Sequence, residues 1–238
     1  MQNAIVKILD KRLYPDFQDN WDCKLFRDII IRHINSSSRV LDLGAGAGII
    51  KQLNFRGLTS QICGVDIDDR VLKNPYLDEA KMCDTESIPY GDNSFDVVIC
   101  NSVLEHLSAP EKTFKEVYRI LKKGGFFIVK TPNKYHYVTI LARLTPHWFH
   151  SFYNRLLGRA EEDTFPTFYR VNSQKKIVCY GEDAGFKVES IELVEGRPEY
   201  LRIIWPTYLL GAAYEKVVNS TELLRFFRIV LIACWRKI

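Results

Sequence analysis

Apolar residues in this chain follow two rhythms that alternate from near the start to the end. Short runs, Val40 to Leu43, Ile62 to Asp66, Phe95 to Cys100 and Phe126 to Lys130, have the length and β-branched content of buried strands. Between them the period becomes helical. Leu25, Phe26, Ile29, Ile30 and Ile34 predict a helix from about Asp22 to His33, and Pro110 opens a second from about Glu111 to Leu121, closed by Lys123-Gly124-Gly125. Ser173 to Ala184 reads as a third, with Ser173 as N-cap and Gly185 as the stop. Glu79 to Cys83 is a further short strand. Strands that alternate with helices predict an α/β fold with a parallel sheet.

The candidate chemistry lies where the first strand ends. Val40-Leu41-Asp42-Leu43 runs directly into Gly44-Ala45-Gly46-Ala47-Gly48, where glycines at alternate positions allow positive φ and close approach of a ligand. Ile49-Ile50 then resume an apolar pattern expected to begin a helix. An adenosine-type cofactor is one reading of this turn and a tight turn without a ligand the other. Asp66 ends the second strand about 20 residues on, where a carboxylate can accept both ribose hydroxyls of a nucleoside. Ile67 follows at the place for an apolar contact with the adenine ring, and Asp84 sits at the next strand end, facing the same crevice.

Composition narrows the classes. The 238 residues are 47% hydrophobic and 13% aromatic, enough for the core of a single globular unit. Thirty-three basic against 29 acidic residues leave a scattered excess of +4, which gives no case for nucleic acid; Arg119, Lys122 and Lys123 cluster at a predicted helix end, where cations complement exposed carbonyls. The six cysteines show no C-x-x-C pair and read as buried thiols of a reducing compartment. The first ten residues lack the apolar core of a signal peptide, and no stretch reaches the ~18 apolar residues of a membrane span, so the expected location is cytoplasmic.

Four stretches together, VLDLGAGAG at 40–48, GVDID at 64–68, CDTESIPYGDNSFDVVICNSVLEHL at 83–107 and ILKKGGFFIVKTPN at 120–133, resemble the class I S-adenosylmethionine-dependent methyltransferases, in particular the small-molecule group of the ubiquinone and menaquinone methyltransferase type. The resemblance implies a Rossmann-like, seven-stranded, mostly parallel sheet with an antiparallel last strand and helices on both faces. Gly185 to Glu192 and Phe227 to Trp235 would be its sixth and seventh strands. It further implies that Asp42 and Gly44, Ala45, Gly46 and Gly48 hold the methionine portion, Asp66 the ribose and Asp84 the adenine amino group, with the Thr85 backbone nearby and Asn101 beside the methionine amino group through its backbone carbonyl. Asp42 as a brace for the loop, and Asp84 as an Asx-turn residue before Glu86, are the plainer readings. A nicotinamide dehydrogenase is disfavoured, because Ile49 occupies the third glycine position of G-x-G-x-x-G.

Residues 1–38 form a helical lead-in to this single domain, with Tyr14-Pro15-Asp16-Phe17 and Trp21 as an aromatic, Pro-broken start. Two segments, 134–172 and 196–224, are insertions rich in aromatics, among them Tyr135, Tyr137, Trp148, Phe149, Trp205 and Tyr214; a helical substrate cap is expected. The alternative is an extension whose aromatics fill only its own core. Leu201 to Tyr214 is apolar enough for a peripheral membrane contact or a lipid-linked acceptor, with Pro206 and Gly211 breaking a continuous helix. His147 and His150 are three apart but no acid or cysteine joins them, so no metal is assigned. The expected activity is methyl transfer to a small molecule or glycan, at oxygen in preference to nitrogen. His106, on the helix expected after the fourth strand, and His136 are candidate bases for a hydroxyl acceptor, and for His106 a packed core position is an equal reading. A non-catalytic S-adenosylmethionine-binding partner subunit would keep every cofactor motif.

Overall fold

A computed structural model of the chain describes residues 4–16, 20–145 and 165–238. Its centre is a seven-stranded sheet in the order β3-β2-β1-β4-β5-β7-β6, with β7 antiparallel. The strands are β1 (Arg39–Leu43), β2 (Gln61–Asp66), β3 (Glu79–Met82), β4 (Phe95–Asn101), β5 (Leu121–Pro132), β6 (Phe186–Val194) and β7 (Val230–Lys237). The register sets Asp42 opposite Gly64 on one side and Ile99 on the other, so β1, β2 and β4 end together. Val40, Leu41, Leu43 and Val97 to Cys100 are fully buried, as strands covered on both faces require.

Alternation along β5 assigns the two faces. Phe126 packs edge-on to His33, just beyond α2 (Trp21–Ile31), and the next-but-one-spaced Lys130 bonds Asp22 and Cys23 of that helix. Phe127 points the other way and meets Phe114 of α3 (Pro110–Ile120) and Trp235 of β7. Gly181 of α5 (Gln174–Asp183) lies so close to the Trp235 indole that a Cβ would fall 2.3 Å from its Nε1. Helices therefore cover both faces.

By contacts along the chain the protein divides into two compact units. The sheet and these helices make one, Asp22–Thr131 with Thr167–Glu192 and Leu231–Ile238. The other gathers Met1–Trp21, Pro132–Pro166 and Leu193–Val230. Its helices are α1 (Ala4–Leu13), α4 (Tyr137–Leu144) and α6 (Trp205–Asn219), with Val6, Tyr14, Tyr208 and Ala212 as a small core. Tyr208 donates to Asp10 at 2.7 Å and Tyr14 to Glu215 at 3.1 Å, while Arg202 bridges Asp10 and Glu199. Of the aromatic insertion, His147, Trp148, Phe149, His150, Phe152 and Tyr153 lie outside the described residues.

Several local expectations are corrected. No α-helix follows the glycine turn: Ile50 is extended and only a 3-10 turn, Lys51–Leu53, forms before Asn54 caps Arg56 and Gly57 takes φ +79°. Adjacent β-branched residues and that Asx turn both oppose a helix. Gly124 and Gly125 do not cap α3, which ends at Ile120; they lie in an irregular stretch of β5, where a Cβ on Gly125 would meet the Asp96 carbonyl at 2.8 Å. Ser173 holds the N-cap position of α5 without a side-chain bond. His106 sits on a 3-10 turn, Leu104–His106, rather than on a helix, and β7 begins at Val230 because Glu222–Phe227 is another 3-10 turn. Pro206 starts α6 and Gly211 lies inside it, where a Cβ would fall 2.5 Å from Pro198. The two residues thus shape a helix instead of interrupting one.

Candidate functional site

The carboxyl ends of β1, β2 and β4 carry the predicted cofactor residues. Gly44 and Ala45 donate their N–H groups to the Val65 carbonyl at 2.8 and 3.1 Å, which folds the loop across the end of β2. Asp66 Oδ2 accepts the Gly46 N–H at 2.9 Å and Oδ1 the Asp68 N–H at 3.0 Å. A carboxylate has about four lone-pair sites, so two directions remain for a diol. The side chain of Ile67 is 59% exposed next to it, a large apolar surface presented where a ring can lie.

The three glycines of the loop have separate reasons. A Cβ on Gly44 would overlap Val103 Cγ2 at 2.1 Å, and one on Gly48 would overlap Asn74 Oδ1 at 2.2 Å. Around Gly46, at φ +51°, the position of a Cβ is open space. Two glycines admit protein neighbours and the third leaves backbone facing outward, which is the arrangement a ligand needs.

Acids and an amide surround the loop. Asp42 is buried, and desolvation first, then the charge of Asp66, push its carboxyl up to about 7. Asn101 ends β4 with its side-chain oxygen buried and without a hydrogen-bond partner. Ser102, next in the chain, is held in the left-handed region at φ 58° with its N–H on the Lys130 carbonyl at 2.8 Å. Asp84 is exposed and accepts the Glu86 N–H at 3.0 Å, an Asx turn, and the Thr85 hydroxyl lies 2.8 Å from that of Thr113.

The two candidate bases fall in different surroundings. His106 is partly buried on its 3-10 turn. The turn is fixed by Glu105, whose carboxylate accepts from Thr131 at 2.8 Å, while Asn172 donates to Thr131 at 2.6 Å. Burial raises the Glu105 carboxyl. His136 belongs to the other unit and is almost wholly buried as the N-cap of α4. Its Nδ1 accepts the Val138 N–H at 3.2 Å, which places the ring proton on Nε2, 3.2 Å from Glu195 Oε2. Tyr137 and Tyr214 pack against the ring.

Residues 41–129, from the middle of β1 to near the end of β5, match the family described as methyltransferase domain. The match covers less than half of the chain. A protein of Methanocaldococcus jannaschii named MJ0638 is 40% identical over 98 residues, covering 40% of this chain and 41% of its own length. The ubiquinone/menaquinone biosynthesis C-methyltransferase UbiE of Rickettsia akari is 26% identical over 194 residues, 74% of this chain and 71% of that protein. Among solved structures, a phosphoethanolamine-type N-methyltransferase of Haemonchus contortus with bound S-adenosylhomocysteine has the same fold, with a TM-score of 0.57 at 16% identity, covering 97% of this chain and 57% of that one. The chain spans about two-fifths of MJ0638, and about half of some other relatives it matches. The match to a methyltransferase domain implies S-adenosylmethionine as the cofactor. The residues fit it: an open backbone at Gly46, an unpartnered buried acceptor at Asn101 and carboxylates at Asp42 and Asp66.

Sequence reasoning missed Asn74 and Val103, which pack against the loop, and Glu105 and Thr113, which brace neighbouring turns. Only Asn74 carried a local signal, the Asn-Pro pair that marks a turn.

Proposed function

We propose that this protein is a methyltransferase that passes the methyl group of S-adenosylmethionine to a small-molecule or glycan acceptor, at oxygen in preference to nitrogen. The observation that carries the reading is the joint placement of the open Gly46 backbone, Asp66 and the unpartnered Asn101 oxygen at one end of the sheet. When bound, S-adenosylmethionine supplies an electrophilic methyl on a positively charged sulfur. The chain's own tasks are to hold the adenosine through Asp66, Ile67, Asp84 and Thr85, and the amino-acid half through Asp42, the loop and Asn101. Alignment and exclusion of water supply most of the remaining barrier reduction. His106, on its braced turn just after β4, is the base we assign for a hydroxyl proton. His136, with Nδ1 used in the helix cap and Nε2 facing Glu195, orders the start of α4.

Residues 134–172 and 196–224 are proposed as the acceptor cap. Exposed Leu141 and Leu144 of α4, Leu209 and Leu210 of α6, and Leu223 favour an apolar or lipid-linked acceptor at a membrane surface. No described helix is long and apolar enough to cross a membrane. The six free thiols support a reducing, cytoplasmic setting. An acceptor screen read out as S-adenosylhomocysteine formation, run beside calorimetry with S-adenosylmethionine and NADH, tests the reading. Turnover of a hydroxylated acceptor is expected, and binding of NADH alone would remove the proposal.

A further inference from the structure

We infer that Asn74 is a positioning residue for the cofactor, acting through the loop carbonyls of Ala45 and Gly46. The inference rests on the S-adenosylmethionine reading of the loop. In a strand–loop–helix unit the first helical turn ordinarily fixes the far side of the loop, but here the chain beyond Gly48 stays extended until a single 3-10 turn. The carbonyls of Ala45 and Gly46 consequently need donors from elsewhere. Asn74, 8% exposed and distant in sequence, supplies both: its Nδ2 donates at 3.0 Å to Ala45 and 3.1 Å to Gly46, while its Oδ1 accepts the Tyr76 N–H at 2.9 Å. That set of partners also fixes which end of the amide is nitrogen. Gly48 lies directly against the same amide and against Pro75, and Arg56 ties the segment down by donating to the Pro75 carbonyl at 3.1 Å.

The consequence follows from peptide planarity. All peptide bonds of the loop are trans, so each N–H points opposite to the carbonyl of its own unit. Holding the Ala45 carbonyl on Asn74 turns the Gly46 N–H to the other side, where it meets Asp66 Oδ2 at 2.9 Å. Holding the Gly46 carbonyl turns the Ala47 N–H to that side as well. There it can donate to an anionic group of the ligand, and the carboxylate of the amino-acid half is the group that matches. Asn74 therefore aims two successive N–H groups, one at the residue that holds the ribose and one at the ligand carboxylate.

The test is calorimetry on the full chain with two probes, S-adenosylhomocysteine and 5′-methylthioadenosine, which lacks the amino-acid half. Asn74→Asp keeps the size and the acceptor for Tyr76 but sets a carboxylate against two carbonyls. The expected result is S-adenosylhomocysteine binding weakened by about tenfold or more, methylthioadenosine by less than about threefold, and an unliganded Tm within a few degrees of the parent. If that variant does not fold, Asn74→Ser, which retains a turn-capping oxygen, is read in the same way. Equal losses for both probes, unchanged affinity, or a loss that vanishes when scaled to the folded fraction would overturn the assignment. Failure of the parent protein to bind either probe would instead overturn the cofactor reading, and this inference with it.

Discussion

The sheet end and the α1–α4–α6 unit solve opposite problems with the same kinds of residue. At the sheet end, charged and polar groups are left with capacity to spare: Asp66 has free lone pairs, Asn101 an unpartnered oxygen and Asp42 a carboxyl that burial holds near neutrality. In the helical unit they are consumed internally, as Asp10 is by Tyr208 and Arg202, and Asn133 by the carbonyls of Phe226 and Arg228 at 2.7 and 2.8 Å. Exposed apolar side chains occur in both, with Ile49 and Ile67 beside the loop. Leu144 and Leu210 of the helical unit are more than two-thirds exposed. The difference therefore lies in the polar groups, unspent at the sheet end and bonded to one another in the helical unit.

The strongest way to break that contrast is Asp66→Ala. It removes the ribose acceptor and the partner of the Gly46 N–H together, and S-adenosylhomocysteine affinity is expected to fall by on the order of 100-fold in calorimetry, two charge-assisted bonds at about 1.5 kcal/mol each. Unchanged affinity would leave Asp66 a mere loop brace.

A smaller effect concerns Asp42. Its folded carboxyl lies near 7 against an ordinary 3.8, so the unfolded chain ionises first. Stability is therefore expected to decline as pH rises from about 4 to about 7, the reverse of a salt-bridged acid. A cationic ligand favours the ionised form, so S-adenosylmethionine should bind up to about tenfold more tightly at pH 8 than at pH 6. Asp42→Asn should flatten both profiles, and a dependence that survives that substitution would assign it to another group.

The mildest test sharpens the other side. Tyr208→Phe deletes the 2.7 Å bond to Asp10 but leaves Arg202 beside the carboxylate, and is expected to lower stability by about 1 kcal/mol in a denaturant melt. S-adenosylhomocysteine affinity should stay within about twofold of the parent. A large loss of affinity would show that the helical unit's internal bonds serve the cofactor too.

Much of the cofactor end was legible because its signals are local. A short apolar run, alternating glycines and an acid at the next strand end each act within a few residues, and Val40 to Leu43, the glycine turn and Asp66 fall on the strand ends expected for them. The helix expected after Gly48 failed because Asn54 and Gly57 further on dictated a turn that two isoleucines could not resist. Gly124 and Gly125 imitated a helix stop because glycine serves both that role and a strand irregularity. That Nδ1 of His136 caps α4 could not be read from the sequence either, since it depends on where that helix starts. The Asn74-Pro75 pair marked a turn, but the hold of Asn74 on the loop was illegible since its partners, Ala45 and Gly46, lie far upstream.

By itself the sequence determined the alternation of strand and helix, the loop and its three glycines, and the acids at the strand ends, because these depend on backbone sterics and short-range periodicity. The tertiary structure alone decided which of them remain unsatisfied. The buried carboxyl of Asp42, the unpartnered oxygen of Asn101 and the hold of Asn74 on the loop all arise when distant segments exclude water from a shared space, and desolvation is a property of that space.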